Sequence, residues 1–251
     1  MRLHLLEHDP IDLSRTNITR WAKNKGHQVV HTYLCNGEEL PEIDDFDWLM
    51  VMGGFAHAWE EDVYPWLRAE KEFLAKVVDH DKMILGVCFG AQLLAETLGG
   101  NVFQNKHKEI GWYEVDLTSE GQKSFLFENV PHKFVTFHWH ADHFSLPPGC
   151  TRLAYTEPSA NQVYILDGRP LVGLQFHPEY TVELIRYFGR EWSDGWQKGP
   201  FVAGKEAIMA QTESLPENYW LIATVLDNME REFANTRFFT MRVIGSSKNL
   251  E

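Results

Sequence analysis

Cysteine is scarce in this chain. Three thiols in 251 residues, at positions 35, 88 and 150, are odd in number and far apart, so no disulfide framework is expected. Positive charge is also short: 23 Lys and Arg against 36 Asp and Glu leave a net charge of -13. That balance excludes a surface with a general attraction for nucleic acid or anionic lipid, although a local basic patch stays open. No apolar run approaches the ~18 residues of a membrane span. Met1-Arg2-Leu3-His4-Leu5-Leu6 is broken at once by Glu7, His8 and Asp9, so neither a membrane segment nor a signal peptide is expected, and the expected location is cytoplasmic. Internal repeats and low-complexity segments are absent. What is present is an ordinary globular composition, 44% hydrophobic and 24% charged, in a length that suits one large domain plus an appendage.

The first hundred residues alternate strand and helix patterns. Residues 2 to 7 and 28 to 34 have strand character, and between them a helix is expected from Asp12-Leu13-Ser14 through Ile18, Trp21 and Ala22 to Gly26. Trp48 to Met52 is apolar throughout, as strands buried on both faces are. Residues 66 to 78 carry helical spacing in Leu67, Phe73, Leu74, Val77 and Val78, and a strand from Lys82 leads to a helical period that begins at Leu93 and stops at Gly99-Gly100. The order β-α-β-β-α-β-α predicts an α/β fold with an open, mixed, mostly parallel central sheet flanked by helices.

After Gly100 the strands shorten and become more antiparallel: 102 to 103, 110 to 117, 134 to 139 and 152 to 156. Residues 161 to 166 and 170 to 176 form a hairpin about Asp167-Gly168-Arg169, and Thr181 caps a helix through Phe188. Residues 190 to 214, with Gly195, Gly199, Pro200 and Gly204, are expected to be a connecting loop. Leu221, Ile222, Val225, Leu226 and Met229 then share one face of a late amphipathic helix over 219 to 233. The expected division is a domain over 1 to 190 and a loop plus helical C-terminal extension over 191 to 251, packed on it.

Within this pattern Gly86-Val87-Cys88-Phe89-Gly90 places a cysteine at a sharp strand-to-helix turn. Flanking glycines admit the strained backbone of a nucleophile elbow, and a helix N-terminus beneath a thiol favours the thiolate. The alternative is a buried structural cysteine after a core strand. A nucleophile needs a base, and His177-Pro178-Glu179 offers one. Extended backbone points i and i+2 the same way, and the proline holds His177 in the β region, so the imidazole and the carboxylate share a face. Standing alone, the same residues would be a strand-end histidine and a solvated glutamate.

Taken together, these segments resemble the class I, triad-type glutamine amidotransferases. Gly86-Val87-Cys88-Phe89-Gly90-Ala91-Gln92 is similar to the family's nucleophile motif and Gln175-Phe176-His177-Pro178-Glu179 to its histidine-glutamate motif. Met52-Gly53-Gly54 stands where the family places its oxyanion-hole glycine. The resemblance covers residues 1 to 190 and implies a flavodoxin-like α/β fold. It makes Cys88 the nucleophile, His177 the general base and acid, and Glu179 the orienting carboxylate. The implied oxyanion hole is the backbone N–H of Phe89 with that of Gly53 or Gly54, and Gln92 falls at a substrate-contacting position.

For Phe137-His138-Trp139-His140-Ala141-Asp142-His143 three readings stay open. Three histidines at this spacing could bind zinc, His140, Ala141 and Asp142 could form the family's edge against the amino-acid end of glutamine, or the histidines could be structural. No metal is expected, since no cysteine lies nearby to complete a tetrahedral site. The glycine common in the family is Ala141 here. Cys35 and Cys150 are expected to pack.

The implied activity is hydrolysis of the glutamine side-chain amide through a glutamyl thioester, with no cofactor, the ammonia going to a partner synthetase. The motifs are closest to the glutaminase domain of GMP synthase. The chain has no Gly-rich P-loop and too little sequence after residue 190 for an ATP-pyrophosphatase domain, so a complete GMP synthase is not expected. Alternatives are a stand-alone hydrolase of γ-glutamyl amides or peptides, and a non-catalytic binding protein on the same fold.

Overall fold

In the computed structural model, which describes residues 1–11, 14–80, 82–191, 199–214 and 218–247, the first half of the chain builds a parallel sheet. Strand β1 (Arg2–Glu7) lies between β2 (Gln28–Tyr33) and β3 (Trp48–Val51), and β3 pairs with β4 (Met83–Val87), all parallel. Helix α1 (Asn17–Lys25) joins β1 to β2, and α2 (Pro65–Val78) joins β3 to β4. Such connections are required because parallel neighbours cannot be joined by a tight hairpin. Helix α3 (Phe89–Thr97) follows β4 directly.

The second half extends the sheet with antiparallel strands. They are β5 (Val102–Leu117), β6 (Lys133–Phe144), β7 (Cys150–Tyr155), β8 (Val163–Leu166) and β9 (Leu171–Leu174). β8 and β9 form the expected hairpin, and β9 returns parallel to β4. The nine-stranded order is β2-β1-β3-β4-β9-β8-β7-β5-β6, a mixed sheet as expected.

Every residue of β3 and β4 is buried, which is what their unbroken apolar sequence requires. On one face Trp48, Met50, Leu85 and Val87 pack with Ile18 and Trp21 of α1 and with Leu221, Ile222, Val225, Leu226 and Met229 of α6 (Asn218–Ser247). On the other, Leu49, Val51 and Ile84 pack with Leu67, Leu74 and Val77 of α2 and Leu93 and Leu94 of α3. The period of two divides the strand side chains between these layers.

Several boundaries differ from the expected ones. Helix α1 is capped by Thr16, whose hydroxyl accepts from Thr19 N–H. Asp12 and Leu13, where that helix was expected to begin, lie outside the described residues, as does Gly195. Helix α3 begins at Phe89, four residues before Leu93, because Cys88 itself is its N-cap. β5 is one strand of 16 residues, with a register irregularity between Gln104 and Glu109 that hides its continuity. Thr181 does accept from Leu184 N–H at the start of α4 (Val182–Glu191).

Part of the expected loop over 190 to 214 is a helix, α5 (Lys205–Ser214). Its Ile208 packs with Ile110, Trp112, Phe137 and Ile185, and Trp112 Nε1 donates to Thr212 Oγ1 at 3.0 Å. Among the described residues no helix is long and apolar enough to cross a membrane.

Candidate active site

The site begins with a steric requirement. A Cβ added at Gly86 would lie 2.7 Å from the Gly90 and Ala91 backbone, and one at Gly90 would lie 1.9 Å from the Val51 carbonyl oxygen. Only glycines let the first turn of α3 close over the end of β4. Between them Cys88 is held at φ 51°, ψ -104°, with its N–H bonded to Leu174 O at 2.7 Å. A non-glycine residue in such a conformation costs roughly 1–3 kcal/mol and persists only where its surroundings fix it. The sulfur comes out at the carboxyl ends of β3, β4 and β9, as in other open α/β sheets.

His177 and Glu179 follow β9 and arrive at the same place. His177 Nδ1 is 2.7 Å from Glu179 Oε1, and both side chains are buried. The carboxylate accepts a hydrogen bond from Nδ1–H, which leaves Nε2 for chemistry. The turn that presents them is pinned from α1: Asn17 N–H donates to Glu179 O at 2.8 Å, and Asn17 Nδ2 donates to Pro178 O and Tyr180 O, each at 3.1 Å. The imidazole stacks on Tyr180 with centroids 4.3 Å apart. Burial alone would lower the His177 pKa, but the charges of Glu179 and Cys88 and its hydrogen bonds to both outweigh it and hold the pKa up at about 10.

Gly53 closes the other side. A Cβ there would stand 3.0 Å from His177 Cε1 and 3.8 Å from Cys88 Cβ, so a larger residue crowds the imidazole. At Gly54 a Cβ would meet His8 Cβ at 2.9 Å and Phe89 Cδ1 at 3.2 Å. Among the described residues, no protein acceptor takes the N–H of Gly53, Gly54 or Phe89.

Gln92 and the 140–142 edge also converge here. Gln92 Nε2 donates to Asp142 O and to Gln175 Oε1, each at 3.3 Å. Gln175 Nε2 in turn lies 3.6 Å from Cys88 Sγ. His140 Nδ1 meets Asp142 O at 3.1 Å, Ala141 is half-buried, and the Asp142 carboxylate pairs with His57, whose ring stacks on Trp59. All ten residues singled out from the sequence therefore fall in one region, at the carboxyl ends of the central strands.

Five side chains at the site were not anticipated from the sequence. Gln175 had a signal, since it alternates with His177 and Glu179 on one face of extended backbone. His57, Glu109 and the His8–Glu70 pair had none, because their partners are distant in sequence. Glu109, on β5, lies opposite His140 and accepts from Thr156 Oγ1 and Gln162 Nε2, both at 2.8 Å, with His140 Nε2 3.0 Å away. Burial would raise its pKa, but His140 and His138 outweigh that and hold it down at about 2, while burial pushes His138 down to about 3. Among the described residues, Glu109, His138 and His140 offer ligand atoms within 4.8 Å of one another, a set that could hold a cation. Cys150, by contrast, is pushed up to about 12 by burial and by Asp167.

A strained cysteine beside a buried His–Glu pair and unclaimed backbone donors is an arrangement that can support thiol-dependent hydrolysis. The family model for glutamine amidotransferase class-I matches residues 11–186, and this chain belongs to that family. It is 32% identical over 227 residues to the glutamine amidotransferase-like protein YfeJ of Salmonella typhimurium, covering 87% of this chain and 91% of that one. The fold superposes on a glutamine amidotransferase of Thermotoga maritima with a TM-score of 0.81 and 26% identity, over 91% of this chain and 97% of that one. Shorter matches reach GMP synthase of Campylobacter lari, 35% identical over 52% of this chain and 24% of that protein, and gamma-glutamyl peptidase 5 of Arabidopsis thaliana, 27% identical over 57% and 58%.

Proposed function

We propose that this protein hydrolyses the side-chain amide of glutamine, releasing ammonia, with Cys88 as nucleophile, His177 as base and acid, and Glu179 as the carboxylate that orients the imidazole. The observation that carries this reading is the junction of the strained Cys88 elbow with the 2.7 Å His177–Glu179 bond. The Cys88 sulfur attacks the amide carbon after its proton passes to His177. Charge that develops on the amide oxygen meets the N–H of Phe89 and of the Gly53-Gly54 corner, and such donors contribute about 3 kcal/mol each. His177 then protonates the departing nitrogen as the tetrahedral intermediate collapses to a glutamyl thioester. Water, deprotonated by His177, attacks the thioester carbonyl and frees glutamate. No cofactor enters this cycle.

Gln92 and the 140–142 edge, joined through the Asp142 carbonyl, hold the amino-acid end of the substrate. Ammonia passes to a synthetase partner. The likeness to glutamine-hydrolyzing GMP synthase, 35% identical over 52% of this chain, supports that reading.

A second reading, hydrolysis of γ-glutamyl amides or peptides without an acceptor, is favoured by one feature. The segment after Gly53-Gly54 exposes Phe55 and Trp59, about half of each side chain, and the His57 between them pairs with Asp142. Apolar surface at a site mouth suits a leaving group larger than ammonia.

Steady-state hydrolysis of glutamine and of a panel of γ-glutamyl amides and dipeptides, with Cys88→Ala as control, tests both. The alanine variant should lose all turnover, and full turnover in it would refute the mechanism. Faster cleavage of the larger amides than of glutamine would select the second reading.

A further inference from the structure

We infer that His8, braced by Glu70, is a positioning residue that fixes the Gly53–Gly54 peptide so that the Gly54 N–H is the second oxyanion donor. The inference rests on the proposed function and assigns one glycine where the sequence leaves two.

His8 follows the last residue of β1, and its imidazole lies between two acceptors. Nδ1 is 3.1 Å from the Gly53 carbonyl oxygen and Nε2 is 2.9 Å from Glu70 Oε1 of α2. Both side chains of the His8–Glu70 pair are fully buried. A carbonyl can only accept, and so can an ionised carboxylate, so each ring nitrogen carries a proton and the ring donates twice. Burial would lower the His8 pKa, but Glu70, the Gly53 carbonyl and Asp9 outweigh it and hold it at about 9. Hydrogen bonds from a charged donor are roughly twice as strong as neutral ones.

The peptide unit transmits this anchor. It is planar and trans, so the Gly53 oxygen and the Gly54 N–H leave opposite edges of one plane. Holding the oxygen toward His8 turns the Gly54 N–H away from it. That N–H has no acceptor among the described residues, while the adjoining Gly53 sits against His177 and Cys88. Two consecutive glycines have no side chain to hold their peptide plane, and glycine is the most freely rotating residue. The anchor therefore has to come from outside, and His8 supplies it.

The same imidazole reaches the other donor residue. It packs edge-on against the Phe89 ring, centroids 5.0 Å apart at 78°, and both rings line the space a Gly54 Cβ would need. His8 thus touches both residues whose N–H groups flank the oxyanion.

Amide isosteres separate the two bonds of the ring. His8→Gln carries its donor where Nε2 stands, keeping Glu70 and losing the Gly53 oxygen. His8→Asn reaches the Gly53 oxygen from the Nδ1 position, and pairing it with Glu70→Gln leaves no stranded carboxylate. We expect His8→Gln to lower kcat about 100-fold with KM within about twofold, and to leave alkylation of Cys88 by iodoacetamide, which forms no oxyanion, at the wild-type rate. The His8→Asn/Glu70→Gln protein should recover at least about tenfold of that loss.

Wild-type kcat in His8→Gln, beside an inactive Cys88→Ala, would overturn the inference and leave the proposed function standing. Equal losses in both isosteres, tracking their melting temperatures, would also overturn it. If His8→Gln does not fold, Glu70→Gln carries the same test, with kcat down about tenfold at unchanged KM expected and unchanged kcat contradicting. Full turnover in Cys88→Ala would instead remove the reading on which all of this rests.

Discussion

At the scale of single residues, the site depends on how closely Gly53 approaches the imidazole. Its hydrogen occupies the place where a Cβ would stand 3.0 Å from His177 Cε1, tighter than ordinary side-chain contacts allow. In Gly53→Ala the imidazole must shift, and the shift falls on its approach to sulfur and leaving group. Misplacement of reacting groups by even ~1 Å can cost about 100-fold in rate. A few tenths of an ångström suffice here, so we expect a smaller drop in kcat, about 3- to 10-fold, with KM and melting temperature little changed, measurable by steady-state assay beside calorimetry. The residues proposed to carry the chemistry stand out in the sequence because local rules govern them: glycines about a cysteine, and i, i+2 alternation through a proline. The same alternation extends to Gln175, which donates to the Cys88 sulfur from one step further back. His8 and Glu70 are 62 residues apart, and no local pattern joins them.

At the scale of elements, β3, β4 and α2 were legible because burial dictates their composition. Helix α5 was not, for a physical reason. Within Lys205–Ser214 only Ile208 and Thr212 are buried among the residues whose side chains are described, so one contact per turn replaces an apolar stripe. Its stability comes from tertiary packing, chiefly Ile208 against Ile110, Trp112, Phe137 and Ile185. Ile208→Ala should therefore cost about 2–4 kcal/mol in denaturant unfolding, the ordinary penalty for an emptied aliphatic site. A loss under ~0.5 kcal/mol would mean that α5 is peripheral. β5 was split for a related reason. Asn105, Lys106, His107 and Lys108 break its apolar alternation where the register with β6 shifts. Polar residues there interrupt the sequence pattern but not the strand.

At the scale of the whole molecule, strand order was legible only as a class. A mostly parallel half followed by an antiparallel half could be read from spacing, whereas the return of β9 beside β4, which brings His177 to Cys88, is a long-range pairing with no local signature. Buried ionisable groups give the molecule a defined response to acid. Glu109 is held down at about 2 from an ordinary 4.5, so the stability it contributes is present above about pH 4.5 and lost as pH falls through about 2. Integrated, that shift amounts to about 3 kcal/mol. His138 acts in the same direction, since the unfolded chain takes up its proton near 6.5 and the folded one only near 3. Melting temperature should fall steadily from pH 6.5 to 2. The deficit of Glu109→Gln relative to the wild type should be largest at neutral pH and shrink below 4.5. Acid-quenching the protein during glutamine turnover and locating the adduct by peptide mass spectrometry tests amide hydrolysis through a thioester on one sulfur. A glutamyl group is expected on Cys88 and absent from Cys88→Ser. An adduct on Cys35 or Cys150, or turnover with none on Cys88 under conditions that preserve thioesters, would contradict that mechanism.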